Sequence, residues 1–233
     1  MTWFRHSEAY EIFFNRDEKK TRQKATPPLL QELQGVRFLA PRDEEAGGSW
    51  MLANEHGVAL TLLNLWGVGE LNTTQKRSRG RMLTDELADV ATAQEALTRL
   101  HDMDLRPYPG FTLAAFDLQQ TSAPLMAQWD GAKLLPIVAQ MPLCSSGFSP
   151  REVLTSRQNL FDAAPHATPH ELWLWHTQEP QPTAYTVRMN RPDAQTWSIS
   201  HVSISSQNIQ WRYLEESLNL ALPPTEHTAS MAR

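Results

Sequence analysis

The sequence predicts a mixed α+β domain in which sheets and helices are stacked in layers. Two observations carry that reading. Short apolar segments with a period of two recur from one end of the chain to the other, and only two segments show the helical period of 3.6. Strands also follow strands instead of alternating with helices, which argues against a doubly wound parallel sheet. At 233 residues the chain is long enough to bury a large core without staples. Its eight Trp and eight Phe are too many buryable rings for a disordered chain.

The elements are expected in this order. Residues 2–6 and 9–14 are two strands around a Ser7-Glu8 turn, with Tyr10, Ile12 and Phe14 alternating against Glu11 and Phe13. The stretch from Lys19 to Lys24 is basic and irregular and ends at Pro27-Pro28. Residues 50–54 and 58–64 form a strand pair joined by Glu55-His56-Gly57, where Gly57 can take a positive φ. Met82–Asp102 is one helix, with Leu83, Leu87, Val90, Leu97 and Leu100 at helical spacing and an acidic start at Thr84-Asp85-Glu86. Residues 111–118 are a strand after the Pro107-Tyr108-Pro109-Gly110 turn, and residues 125–129 and 133–138 form a hairpin about Asp130-Gly131. Pro150–Phe161 is the second helix, capped by Ser149. Residues 163–184, rich in Pro and His, form a surface excursion. Residues 184–190, 196–203 and 209–213 are three closing strands. No linker divides the chain, so residues 1–222 are expected to form one domain and residues 223–233 a disordered tail.

Composition narrows function. A net charge of −5 argues against a phosphate-bound nucleic-acid partner. No apolar run reaches the ~18 residues of a transmembrane segment, and Arg5, His6 and Glu8 interrupt the apolar run a signal peptide needs, so none is expected here. A cytoplasmic location is expected. The single cysteine, Cys144, cannot form an internal disulfide, fits a reducing compartment, and reads as a small buried or half-buried filler. No metal set is expected: His166 and His170 are four apart, but Pro169 breaks the helix that would align them.

Three clusters can carry chemistry. Asn15-Arg16-Asp17-Glu18 follows an apolar strand, which gives these polar groups a fixed direction. Arg16 offers a fork for a carboxylate or phosphate and Asp17 can orient a base. A surface turn with an Arg16–Asp17 ion pair is the plainer alternative. Gly47-Gly48-Ser49-Trp50 allows close backbone approach of a neighbour or a ligand. Lys76-Arg77-Ser78-Arg79-Gly80-Arg81 can grip an anion, or can equally be a solvated basic loop.

In this order the clusters resemble the NRDE family, the proteins like transport and Golgi organisation protein 2. The resemblance is carried by Tyr10 through Glu18, Gly47-Gly48-Ser49-Trp50, Leu60 through Asn64, Ser78-Arg79-Gly80, Gly110 through Leu113 with Asp117, Ser145-Ser146, Arg157 and Asp193 through Ser198. It implies a four-layer αββα sandwich of the N-terminal nucleophile hydrolase type. It also implies a ligand site at Asn15, Arg16, Asp17, Glu18, Gly48, Trp50, Asn64, Ser78, Arg79, Ser146 and Arg157. The family is linked to haem trafficking and to acyl-coenzyme A or lipid handling. Haem is therefore an expected cargo rather than a fixed cofactor, and the expected partner is a small molecule; the oligomeric state is left open. The hydrolase alternative implies catalytic roles for Thr2, Asn15, Arg16 and Asp17, with Thr2 as nucleophile; a third reading is a remnant that kept the fold and lost the chemistry. Family members begin Met-Cys; either the first codons are trimmed here or this member lacks that cysteine, and Thr2 in Met1-Thr2-Trp3 matches a position about three residues, or ~10 Å of strand, further along.

Overall fold

The computed structural model describes residues 1–68, 76–119, 123–178, 181–218 and 222–233. Their strands form two antiparallel sheets. The first contains β1 (Thr2–Arg5), β2 (Ala9–Lys19), β10 (Ala194–Ser205), β11 (Asn208–Glu215) and β12 (Thr225–Ala232), in that spatial order. The second is a sequential meander of β3 (Thr26–Leu33), β4 (Val36–Arg42), β5 (Met51–Asn54), β6 (Ala59–Asn64), β7 (Phe111–Phe116), β8 (Leu125–Trp129) and β9 (Leu134–Pro136).

The two sheets pack face to face over Trp3, Tyr10, Ile12, Met51, Phe116 and Trp211. Two helices, α1 (Arg79–Glu86) and α2 (Ala93–Asp102), cover the outer face of the seven-stranded sheet through Met82, Leu83, Ala96 and Leu100. Two more, α3 (Pro150–Ala163) and α4 (Pro169–Thr177), cover the five-stranded sheet through Phe161 and Leu172 against Phe13. The result is the expected αββα sandwich.

The structure departs from the sequence reading in six places. The single helix expected over Met82–Asp102 is two. Asn54 donates through Nδ2 to the carbonyls of Ala88 (2.9 Å) and Val90 (2.7 Å), which holds the chain out of helix there. Thr92 then caps a new helix by accepting from the Glu95 N–H. The stretch ending at Pro27-Pro28 enters β3, an edge strand, where a residue without an N–H is tolerated. The excursion over 163–184, of which 179–180 lie outside the described residues, contains α4. Pro169 begins that helix, so His166 stays outside it as expected, and Thr168 caps it. Residues 184–190 form no strand beyond one bridge between Asn190 and Gln195. Ser149 precedes α3 with a positive φ of 38° and makes no side-chain cap bond. The polar tail pairs along β11 as β12 from Asn208↔Ala232 to Glu215↔Thr225, and Arg233 donates to the carbonyls of Ser205 and His56.

Among the described residues no helix is long and apolar enough to cross a membrane.

Candidate functional site

A cleft of about 810 Å³ opens at one end of the sandwich, between the two sheets. All eleven residues expected to bind ligand line it: Asn15, Arg16, Asp17, Glu18, Gly48, Trp50, Asn64, Ser78, Arg79, Ser146 and Arg157. Thr2 does not. It is wholly buried on the far face of β1, which corrects the expectation that it faces substrate.

The alternation of β2 divides its polar end between two faces. Arg16 points between the sheets. Its guanidinium donates to Asp43 Oδ2 (2.8 Å) and lies over the Trp50 ring at 4.4 Å. Arg22 donates to both oxygens of the same carboxylate. Burial pushes the pKa of Asp43 up, but Arg22, the Ala46 N–H and Arg16 together outweigh it and hold the carboxyl below its usual range. Asp17 points to the helical layer instead, where it accepts from Arg157 (2.9 Å) and from the Thr196 hydroxyl (2.6 Å). The simple Arg16–Asp17 surface pair is therefore not formed; the two residues hold different partners on opposite faces.

Asn15 is fully committed. Its Oδ1 lies 2.6 Å from His176 Nδ1, and its Nδ2 donates to the carbonyls of His176 (3.2 Å) and Val187 (3.1 Å). It positions α4 and has no donor left for a ligand. Burial, followed by the N-terminal amine, His201 and Arg157, holds the His176 pKa well below 6.5, so its imidazole is neutral. Its Nδ1–H then donates to Asn15, and its Nε2 accepts from the Thr2 hydroxyl at 2.9 Å.

A pH dependence follows. The unfolded histidine takes a proton near pH 6.5, whereas the folded one does so only at lower pH. This contribution to stability is complete above pH 6.5 and is lost as the pH falls below it. As the pH falls below 6.5 the unfolding free energy is expected to fall through this group with a slope approaching, at most, about 1.4 kcal/mol per pH unit. Urea melts of wild type and His176→Gln across that range check it, with the shallower slope expected in the variant.

The glycine pair before β5 serves a neighbour. A side chain on Gly48 would lie 2.2 Å from the Gly80 carbonyl carbon, so the first turn of α1 rests directly on the loop. Ser49 N–H donates to the Gly80 carbonyl (3.2 Å), which fixes Ser78 and Arg79 at the cleft wall. Arg79 donates to the Gly110 carbonyl (2.8 Å), and burial lowers its pKa, with Glu18 acting the other way.

Sequence reasoning missed Asp43, His176 and Trp66, and gave Cys144 no place in the site. Cys144 is half-buried, lines the cleft and lies against the Arg157 guanidinium. Asp43 lies in a segment to which no element was assigned and His176 in one read as a surface excursion, and no local pattern marked them. The cue available for His176 was Thr168-Pro169-His170-Glu171, a helix start.

Residues 1–134 match the family described as Transport and Golgi organisation 2. No curated protein matches the sequence. Among solved structures, a variant of conjugated bile acid hydrolase from Clostridium perfringens is similar at a TM-score of 0.50 and 11% identity, over 97% of this chain and 89% of that one. A second mutant of that enzyme gives 0.48 and 11%, over 96% and 84%. The shared architecture is the N-terminal nucleophile hydrolase fold.

Proposed function

Because the chain belongs to the Transport and Golgi organisation 2 family, we propose that it is a cytoplasmic ligand-handling protein. It takes haem, or an acyl-coenzyme A or lipid-like anion, into the cleft beside Arg16. The observation that carries this reading is the make-up of the cleft wall. Large rings stand beside guanidinium groups: Trp66 is 53% exposed and Phe148 40%, while Arg16, Arg79 and Arg157 lie on the same lining. Uncovered rings next to desolvated cations suit a ligand that is apolar over most of its surface and anionic at one end.

Binding is favoured over amide hydrolysis by the fate of the catalytic candidates. The Thr2 hydroxyl is buried and held by His176, Asn15 has no free donor, and Asp17 is occupied by Arg157 and Thr196. Arg16 is fixed on Asp43. These groups organise the cleft wall.

Titration of the purified protein with haem, followed by absorbance, and with palmitoyl-coenzyme A, followed by calorimetry, tests the proposal. Saturable binding of at least one is expected. Trp66→Ala is expected to weaken it about tenfold, the loss of one covered aromatic face. Failure of both ligands to saturate would overturn the reading.

A further inference from the structure

The cleft is lined by six arginines: Arg16, Arg22, Arg77, Arg79, Arg157 and Arg191. Five already hold carboxylates. Arg16 and Arg22 share Asp43, Arg77 meets Glu86, Arg157 meets Asp17, and Arg191 meets Asp193. Of these six, only Arg79 has no carboxylate within ion-pair distance. Its one hydrogen bond is to the Gly110 carbonyl, which leaves most of its five donors unused. The cleft's one lysine among the described residues, Lys19, is exposed and keeps its charge in water.

Arg79 also opens a helix that lacks negative charge at its start. Ser78, the residue before α1, makes no side-chain cap bond, and the first turn holds no acidic residue. A half-buried guanidinium and an uncapped helix start therefore favour the same kind of guest.

The apolar side lies next door. The Gly110 carbonyl that takes the Arg79 Nη1–H also takes the Leu65 N–H at 3.0 Å. That places the guanidinium one residue from Trp66, whose ring is packed against Gly147 next to Phe148.

Resting on the cleft-binding reading above, we propose that Arg79, not Arg16, receives the ligand. The ligand class is an amphiphile with one oxyanion head, a carboxylate or a phosphate, on an apolar body that lies along Trp66 and Phe148. With Arg16 and Arg22 balanced by Asp43 and Glu18, Arg79 is the cleft arginine left to receive the head group.

The probes are dodecanoate, dodecyl phosphate and dodecanol, each below its aggregation concentration, read by calorimetry and tryptophan quenching. Both anions are expected to bind on the order of 10- to 100-fold tighter than the alcohol, the range of a charge-assisted contact. The ratio between the two anions separates a carboxylate site from a phosphate site. Arg79→Gln is expected to bring both anions down to the affinity of the alcohol and leave the alcohol within twofold. Arg79→Lys is expected to keep part of the preference. Wild-type affinity for the anions, but not for the alcohol, is expected to fall with added salt; this readout stands even if a variant folds poorly. Equal binding of all three probes by wild type, or an intact anion preference in Arg79→Gln, would overturn the head-group assignment alone. Saturable haem with no binding of any dodecyl probe would do the same. If neither haem, palmitoyl-coenzyme A nor any dodecyl probe bound, the cleft reading would fall with it.

Discussion

Gly48→Ala is expected to cost about 3 kcal/mol of stability, the upper end of what one misplaced methyl costs in a packed site. The added carbon would lie 2.2 Å from the Gly80 carbonyl carbon and 2.3 Å from the Arg81 nitrogen. Both are backbone atoms, so no rotamer change relieves the clash, and either the loop or the start of α1 must move. Gly35→Ala is the control. Gly35 has a positive φ of 84° but nothing within 4 Å, so only backbone strain of about 1 kcal/mol is expected there. Urea unfolding of the two variants compares them. Equal losses would show that the α1–loop contact is not tight. Since Ser78 and Arg79 ride on that turn, Gly48→Ala should also weaken ligand binding, and Gly35→Ala should not.

Asp17→Asn is expected to cost a similar amount, about 3 kcal/mol, because it strips the partner from a buried guanidinium. Arg157 is only 8% exposed, and its remaining contacts are the Thr186 carbonyl and the Cys144 sulfur. Burial pulls the Arg157 pKa down; Asp17 first, and then Cys144, more than offset this and leave it raised. The double variant Asp17→Asn/Arg157→Met should lose less than Asp17→Asn alone, because no orphan charge remains. Denaturant melts of the two single variants and the double variant form the cycle. An additive result would place the cost in the Thr196 hydrogen bond instead.

The strands of this fold were legible where side chains alternate between a dry face and a wet one, as Tyr10, Ile12 and Phe14 do against Glu11. They were illegible at β3 and β12, two of the four edge strands. β3 carries two prolines, and β12 reads Thr-Glu-His-Thr-Ala-Ser; an edge strand needs little apolar pattern because only one side is paired. The break between α1 and α2 was hidden for a different reason. Leu87, Ala88 and Val90 are all buried, so the apolar period continues through a segment whose backbone is captured by Asn54, distant in sequence. The cleft lining was legible through motif and resemblance, residue by residue. What each residue does there was not. Asp43 binds Arg16 from 27 positions away and His176 binds Asn15 from 161 away, and no local pattern encodes such partners.

The order of strands also sets the order of assembly. The seven-stranded sheet is a meander from Thr26 to Pro136, each strand beside its predecessor, so it can zip up while the chain is being made. The five-stranded sheet cannot. Its central pairing joins β2, which precedes the whole meander, to β10, which begins at Ala194. Until then β2 has only β1 beside it in its sheet, and Asp17 lacks the Thr196 hydroxyl that β10 supplies. One edge of β2 therefore stays unpaired until β10 emerges. Formation of the cleft is a late, long-range closure, slow on topological grounds.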